Sequence, residues 1–254
     1  MSSESSIRTW SMLVVLPALA LLGATWIASS TWERVRTRPA ERTIEVTGSA
    51  KKRIVSDLIE WSAEIATREA DRTEAYRALR RHVEAAMAWL TQQGVKPADV
   101  RVSSVTTREL METEYVGVGE ERIARTVSRG WSAEQTISIR SGEMDRIEKV
   151  SREITTLLEQ GVPVTSYPPQ YFYTKLGEVK VDMLAEAAAD ARGRAENIVR
   201  SGGGAGIDQM ISADMGVINV NPANSTATSW DGNNDTTSLE KDIITIVHMS
   251  FTLK

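Results

Sequence analysis

The pattern of apolar and polar residues divides the chain into a short N-terminal part and a long remainder. Residues 9–32 include no charged side chain. As a helix with a rise of about 1.5 Å per residue, this segment is roughly 36 Å long, which exceeds a hydrocarbon thickness of about 30 Å. Trp10, Trp26 and Trp32 lie near its ends, where indole rings favour the headgroup region. The pattern predicts one transmembrane anchor after a tail of residues 1–8.

A cleaved signal peptide is the alternative interpretation of this segment. Ala28-Ser29-Ser30 offers the small residues of a cleavage site, although the apolar run is longer than a signal peptide usually needs. A charged linker, residues 33–42, follows. Its arginines favour a cytoplasmic location for the rest of the chain, because positive charge tends to stay on the cytoplasmic side. Both interpretations of residues 9–32, an uncleaved anchor and a cleaved signal peptide, stay open at this point.

The remainder, residues 43–254, shows two kinds of apolar spacing. A spacing of two predicts strands, and a spacing of three to four predicts amphipathic helices. The predicted strands cover residues 43–54, 57–67, about 100–111, 130–141, the aromatic segment described below, about 209–220 and 243–253. The predicted helices lie between Asp71 and Gly94, from Glu143 to Gln160 and from Glu178 to Arg200. The order ββαββαβαββ predicts an α+β fold, with helices on one face of a mainly antiparallel sheet.

Single residues sharpen this prediction. Asp71 is expected to cap the N-terminus of the first helix of this region, and Tyr76 is expected on its buried stripe. Gly48, inside a strand, indicates a bulge or a close approach of another backbone. The alanine-rich helix from Glu178 to Arg200 has the small side chains that such an approach needs.

Charge and composition exclude several kinds of chemistry. The chain has a net charge of −4 and no cysteine. Disulfides, cysteine nucleophiles and thiolate metal sites are therefore excluded, and the acidic balance argues against a nucleic-acid partner. Neither His82 nor His248 has a second histidine at metal-ligand spacing. We expect no catalytic residue, no cofactor, no metal and no small-molecule substrate, and therefore a protein that is not an enzyme.

A polar loop, residues 221–241, separates the last two predicted strands. Its composition predicts a segment that is mobile or is buried only by a partner, and Trp230 is its candidate contact residue. Asp231, Asn233 and Asp235 place oxygens at the first, third and fifth positions of a calcium loop. However, a threonine replaces the glycine that the turn requires, so a polar turn is favoured over a calcium site.

Aromatic side chains are concentrated in one short segment, "YPPQYFY". The chain has five Tyr and two Phe, and this segment holds Tyr167, Tyr171, Phe172 and Tyr173. Its two prolines cannot donate to a central ladder, which predicts an edge strand or an extended arm. Exposed tyrosines at an edge are typical of interfaces, so these four residues are candidates for an oligomer interface. The alternative is that the rings cover the domain's own core.

Taken together, the stretches "IEVTGSAKKRIVSDLIEWSAEI", "QQGVKPADVRVSS", "GWSAEQTISI" and "AEAAADARGRAENIVRSGGG" resemble the SIMPL-domain family. That family includes the bacterial periplasmic immunogenic and oxidative-stress-defence proteins. The stretches "YFYTKL" and "NNDTTSLEK" are similar to a membrane-anchored subgroup. The resemblance covers residues 43–254. One departure is Glu240-Lys241-Asp242 before the last strand, where relatives often have Pro or Gly.

The resemblance implies an α+β domain in the cell envelope that assembles into rings or channel-like homo-oligomers, with a loose link to oxidative-stress tolerance. It supplies no catalytic residue. We therefore expect a protein of the bacterial inner membrane that crosses once, contacts lipid through residues 9–32 and carries residues 43–254 in the periplasm. We expect export to the periplasm and not the cytoplasmic location that the arginines favour, because large domains translocate despite flanking charge. A periplasmic binding or chaperone-like module for a small ligand or envelope protein is the alternative.

Overall fold

The computed structural model describes residues 22–32, 42–117 and 122–254. Trp10, the tail, most of the predicted membrane span and nearly all of the linker lie outside the described residues. Residues 22–32 are helical (α1), and Trp26 and Trp32 are exposed on this helix. Among the helices within the described ranges, none has the length and apolar character to cross a membrane.

The chain from Thr43 onward forms two antiparallel sheets and three further helices. The strands are β1 (Thr43–Val55), β2 (Leu58–Glu69), β3 (Val100–Val102), β4 (Thr106–Val116), β5 (Ile123–Ser141), β6 (Val164–Ser166), β7 (Gln170–Phe172), β8 (Ile207–Met215), β9 (Asn219–Pro222) and β10 (Glu240–Leu253). The helices are α2 (Arg72–Gln92), α3 (Met144–Glu153) and α4 (Leu176–Ser201), with 3-10 segments at Pro97–Asp99 and Ile154–Gln160.

The first sheet, here called the terminal sheet, joins the two ends of the described chain. Its strand order is β1-β10-β8, and β9 also pairs with β10. Every residue of β1 has a partner on β10, from Thr43 opposite Thr252 to Val55 opposite Glu240. Helix α4 packs on β1 and β10 through small side chains, and Ala187, Ala191 and Ala195 are fully buried there.

The second sheet, here called the central sheet, contains β2 to β7. Its order is β3-β5-β2-β6, with β4 also on β5 and β7 also on β2. Helices α2 and α3 cover one face of it and close the larger core. The apolar face of β2 faces this core with Ile59, Trp61, Ala63 and Ile65, because apolar and polar residues alternate along the strand.

Several single-residue predictions are confirmed. The Asp71 carboxylate accepts the amides of Thr73 (2.8 Å) and Glu74 (3.2 Å) and so caps α2. At Gly48 the register of β1 is continuous, and a Cβ would lie only 2.2 Å from the carbonyl oxygen of Ala187, so the glycine marks a close approach and not a bulge. Tyr76, in contrast, is exposed, so the prediction that it lies on the buried stripe of the helix is wrong.

The α+β prediction with mainly antiparallel pairing is confirmed, but the helices lie on two sheets where one was expected. The predicted strand of residues 100–111 is two strands, separated at residues 103–105, and the second continues to Val116. The aromatic segment contributes β7 and is preceded by the separate strand β6, and the predicted strand of residues 209–220 is likewise two strands, β8 and β9. The observed order is therefore ββαβββαββαβββ over the residues from Thr43 onward.

Candidate functional site

The aromatic segment lies along an outer edge of the central sheet. Strands β6 and β7 both pair with β2, and Pro168 and Pro169 connect them, so the prediction of an edge strand is confirmed. Tyr167 is exposed, and its hydroxyl donates to the Glu64 carboxylate at 3.1 Å. This hydrogen bond raises the pKa of Tyr167.

The rings that follow the prolines are divided between two cores. Tyr171 packs against the core of the central sheet, and Tyr173 packs against the core beneath α4. Burial, together with a 2.8 Å hydrogen bond from the hydroxyl to Glu148, raises the pKa of Tyr171 to about 12. Phe172, between them, is half-buried, and its carbonyl accepts the amide of Asp57 at 3.0 Å. Tyr171 and Tyr173 thus connect the core of the central sheet with the core beneath α4.

A groove lies on the open face of the central sheet, opposite the helices. Its volume is about 690 Å³, and its floor is formed by Glu60, Ser62, Ser138 and Arg140. Arg140 Nε lies 3.1 Å from Glu60 Oε1 across this floor. The remaining lining residues include Asp99, Arg101, Tyr167, Pro168 and Pro169. The groove thus combines charged residues with an aromatic and proline wall.

The loop of residues 221–241 contacts its own chain, so its buried residues, Asn221 and Lys241, need no partner to be buried. Its side chains form hydrogen bonds with one another and with β9. Asn219 Oδ1 accepts the amides of Ser229 (2.9 Å) and Asn233 (3.0 Å), and Asn233 Nδ2 donates to Asn221 Oδ1 at 2.9 Å. The loop is therefore tied to the fold by its own polar groups, which hydropathy does not reveal, while most of its residues stay half-buried or exposed.

Two buried charges close the loop onto β10. Lys241 is only 1% exposed, and its ammonium group donates to the backbone carbonyl and, at 3.1 Å, to the carboxylate of Asp235. Burial alone would raise the pKa of Asp235, but hydrogen bonds from Thr237, Lys241 and Ser238 lower it to about 2. The ammonium group therefore binds the carboxylate that the calcium-loop interpretation assigned to a metal ion.

Asp242, the next residue, is the anion of a second cluster. Arg53 Nε donates to it at 2.9 Å, Lys51 Nζ lies at 3.0 Å and the amide of Asn224 donates at 2.6 Å. The hydrogen bond from Arg53, together with those from Lys51 and Asn224, lowers the pKa of Asp242 against the opposing effect of burial. Glu240-Lys241-Asp242, the departure noted in the sequence, is therefore the start of β10, with two of its three residues buried and paired.

Large apolar side chains are exposed at two places far along the chain from the aromatic segment. One is the outer half of the β4–β5 hairpin, where Met111, Tyr115, Val116 and Ile123 are exposed. The sequence analysis missed it, because both faces of the hairpin are exposed there and the alternating pattern of a half-buried strand is lost.

The second place is β8 and the residues beside it. Every residue from Asp208 to Met215 is exposed, including Met210 and Ile211. Trp230, the candidate from the polar loop, is 92% exposed and lines a cavity of about 270 Å³ with Gly216 and Val217, next to the end of β8.

The two histidines lie on different elements, β10 and α2. His248 Nδ1 lies 3.0 Å from Thr47 Oγ1 on the open face of the terminal sheet, and His82 is half-buried on α2. In the described part of the chain, no cluster of His, Asp and Glu residues could hold a metal ion.

The family model named SIMPL, described as a protein of unknown function (DUF541), matches residues 44–246. The chain belongs to the SIMPL family. No curated protein matches the chain. The matched region begins in β1 and ends within β10, so the SIMPL domain of this chain comprises both sheets and the helices between those strands.

Proposed function

We propose that this chain is a non-catalytic protein of the bacterial cell envelope whose SIMPL domain assembles into a homo-oligomer. Residues 9–32 anchor it in the inner membrane, and the SIMPL domain lies in the periplasm. The family relationship identifies the domain and is consistent with a non-catalytic module, since SIMPL is described as a protein of unknown function. A channel-like assembly and a role in oxidative-stress tolerance are extensions of the same proposal.

The observation that carries the proposal is the exposed apolar surface outside both cores. Ile123 at the hairpin is 72% exposed and Met215 on β8 is 62% exposed, while Trp230 stands almost free of its own chain. Groups of exposed apolar side chains of this kind are typical of protein or membrane interfaces. A second copy of the chain that binds at either place, the hairpin or β8, would remove the apolar side chains there from water.

Light scattering during size-exclusion chromatography of the full chain in detergent tests the assembly. We expect a protein mass that is a multiple of 28.0 kDa and persists on dilution. A mass of one copy at high protein concentration contradicts the proposal.

The location requires a separate experiment. A reporter fused after Lys254, active only in the periplasm, is expected to be active in cells. Activity of a matched cytoplasmic reporter instead would place the domain on the other side of the membrane, as the arginine count favours.

The groove of the central sheet supports a second candidate function, the binding of a small ligand or an extended segment of an envelope protein. Its volume of about 690 Å³ lies in the range of ligand pockets, and charged groups stand beside an aromatic wall. Ser138→Trp would fill the groove from its exposed floor. A ligand that raises the Tm of the natural chain but not of this variant supports this function, and a broad screen without such a ligand counts against it.

A further inference from the structure

The two outer strands of the terminal sheet differ in how their free edges are protected. On β1, the backbone amide of Ser49 donates to the Asp190 carboxylate of α4 at 2.8 Å, and this hydrogen bond lowers the pKa of Asp190. Helix α4 also approaches β1 at Gly48 more closely than a side chain would allow. The edge of β1 is therefore partly closed by the helix that covers it, a common protection against pairing with another chain.

The edge of β8 has no such cover among the described residues. The amide of Gly216 donates to Ile246 of β10 at 3.0 Å, and β8 pairs regularly with β10 from Ser212 to Met215. Because amides alternate in direction along a strand, those of Ala213 and Met215 point away from β10. Lysine and proline, which often protect edges, do not occur in β8. The pairing of β8 with β10 is irregular before Ser212, where the register skips Ile211, so the regular part of this edge is Ser212 to Met215.

The residues around Ala213 have a symmetric pattern. The sequence Ile211-Ser212-Ala213-Asp214-Met215 reads apolar, polar, small, polar, apolar in either direction. If two copies of β8 pair antiparallel about Ala213, Ile211 of one copy lies opposite Met215 of the other. Ser212 then lies opposite Asp214, where a hydroxyl can donate to a carboxylate. Each contact occurs twice, as a two-fold axis requires.

A pairing centred two residues earlier is unfavourable. An axis through Ile211 would place Asp208 directly opposite Asp214 in both halves of the pair, and like charges directly opposite destabilise a sheet. The axis through Ala213 avoids this and aligns the outward amide and carbonyl of that residue with those of its copy.

We infer that β8 is the site where a second copy of this chain adds antiparallel across a two-fold axis at Ala213. The result is one continuous sheet of order β1-β10-β8-β8-β10-β1. This inference rests on the proposed homo-oligomer and names its contact and symmetry. Trp230, next to Gly216 and Val217, flanks the end of the paired segment.

A cysteine placed on the axis tests the geometry, because the natural chain has no cysteine. In Ala213→Cys the two Cα atoms would be about 5.5 Å apart, which a disulfide can span. In the control Asp208→Cys, on the same exposed strand, ten residue steps of about 3.3 Å separate the two thiols by roughly 33 Å. We expect the oxidised full chain in detergent to give a disulfide-linked dimer for Ala213→Cys and almost none for Asp208→Cys.

A charge substitution tests the same edge without a cross-link. Met215→Asp adds a carboxylate to an edge that already carries Asp208 and Asp214, and we expect it to weaken association at least tenfold. Ile123→Asp introduces the same change at the hairpin of the central sheet and should leave association unchanged. Both side chains are exposed, so the far-UV circular dichroism of the two variants should match that of the natural chain and show that the fold is retained.

The outcomes separate the two proposals. If the natural chain forms oligomers, but Ala213→Cys cross-links no better than its control or Met215→Asp associates normally, the β8 contact is wrong and the homo-oligomer stands on another surface. If Ile123→Asp alone abolishes association, that surface is the hairpin. If the natural chain is a single copy, the proposed function fails and this contact fails with it.

Discussion

Gly48 illustrates how one residue without a side chain sets the distance between a strand and a helix. A Cβ at this position would lie 2.2 Å from Ala187 O, 2.4 Å from Ala191 N and 2.6 Å from Ala191 Cβ. Backbone atoms cannot yield as a flexible side chain can, so the helix itself would have to move.

We therefore expect Gly48→Ala to lower the free energy of unfolding by about 3 kcal/mol, at the upper end for overpacked sites. Gly193→Ala is the matched control, since it lies in α4 with nothing within 4 Å of its added Cβ. That variant should be stabilised by up to about 1 kcal/mol, because alanine favours the helix more than glycine. Urea unfolding checks both, and equal effects would argue against the close approach.

Asp235 predicts how stability depends on pH. Its folded pKa of about 2 lies below the ordinary value of 3.8, so its contribution is complete above about pH 4 and is lost as the pH falls toward 2. The side chain is largely buried, and the shift corresponds to about 2 kcal/mol. Asp235→Asn should therefore be less stable than the natural chain at pH 6, and the difference should shrink toward pH 2. A difference that stays constant over this range would show that the carboxylate charge does not matter.

At the scale of elements, the short strand β7 connects two parts of the chain. The amide of Tyr171 donates to the carbonyl of Thr236 at 2.8 Å, and the Asp57 carboxylate accepts the amide and the hydroxyl of Thr174, each at 2.7 Å. Together with Tyr171 in one core and Tyr173 in the other, these contacts tie the central sheet to the polar loop and the end of β1.

Tyr167 and Tyr171 of the aromatic segment form a matched pair for a comparison of stability. Each hydroxyl donates to a glutamate, but Tyr171 packs on a core and Tyr167 is exposed. We expect Tyr171→Ala to cost about 3 kcal/mol and Tyr167→Ala less than about 1 kcal/mol in denaturant unfolding. If both variants lose stability equally, the segment is not divided between core and surface as described.

The sequence predicts elements best where one face is buried. Strand β2 alternates through Ile59, Trp61, Ala63 and Ile65, and all four are buried as expected. In contrast, β8 and the outer hairpin are exposed on both faces, so no burial constrains their pattern. The contacts of the polar loop could not be predicted for another reason, since they rest on hydrogen bonds of side chains such as Asn219, Asn221 and Asn233, which composition does not show.

At the scale of the whole molecule, the two sheets draw on different parts of the chain. The central sheet is complete within residues 58–172, whereas the terminal sheet needs β1 from the beginning and β10 from the end. The larger core is formed by central-sheet strands with α2 and α3, and two smaller clusters lie beneath α4.

This division predicts the effect of removing the last strand. In a chain that ends at residue 239, we expect the amides of β2 and β5 to remain protected from hydrogen exchange and those of β1 to lose protection. The reason is that β10 is the strand to which β1, β8 and β9 all pair. Uniform loss of protection in both sheets would show that the larger core depends on the terminal sheet.

Because β10 is both the last strand and the middle one of its sheet, the order of synthesis delays that sheet. Residue 43 leaves the ribosome roughly 200 residues before β10, a delay of roughly ten to forty seconds at about 5–20 residues per second. During this time β1 has no partner strand and the alanine face of α4 has no complete sheet to pack on. Strands β2 to β7 can already assemble. The newly made chain therefore exposes apolar residues of β1 and α4 until β10 has been made, and a chaperone that holds unfolded chains would bind there.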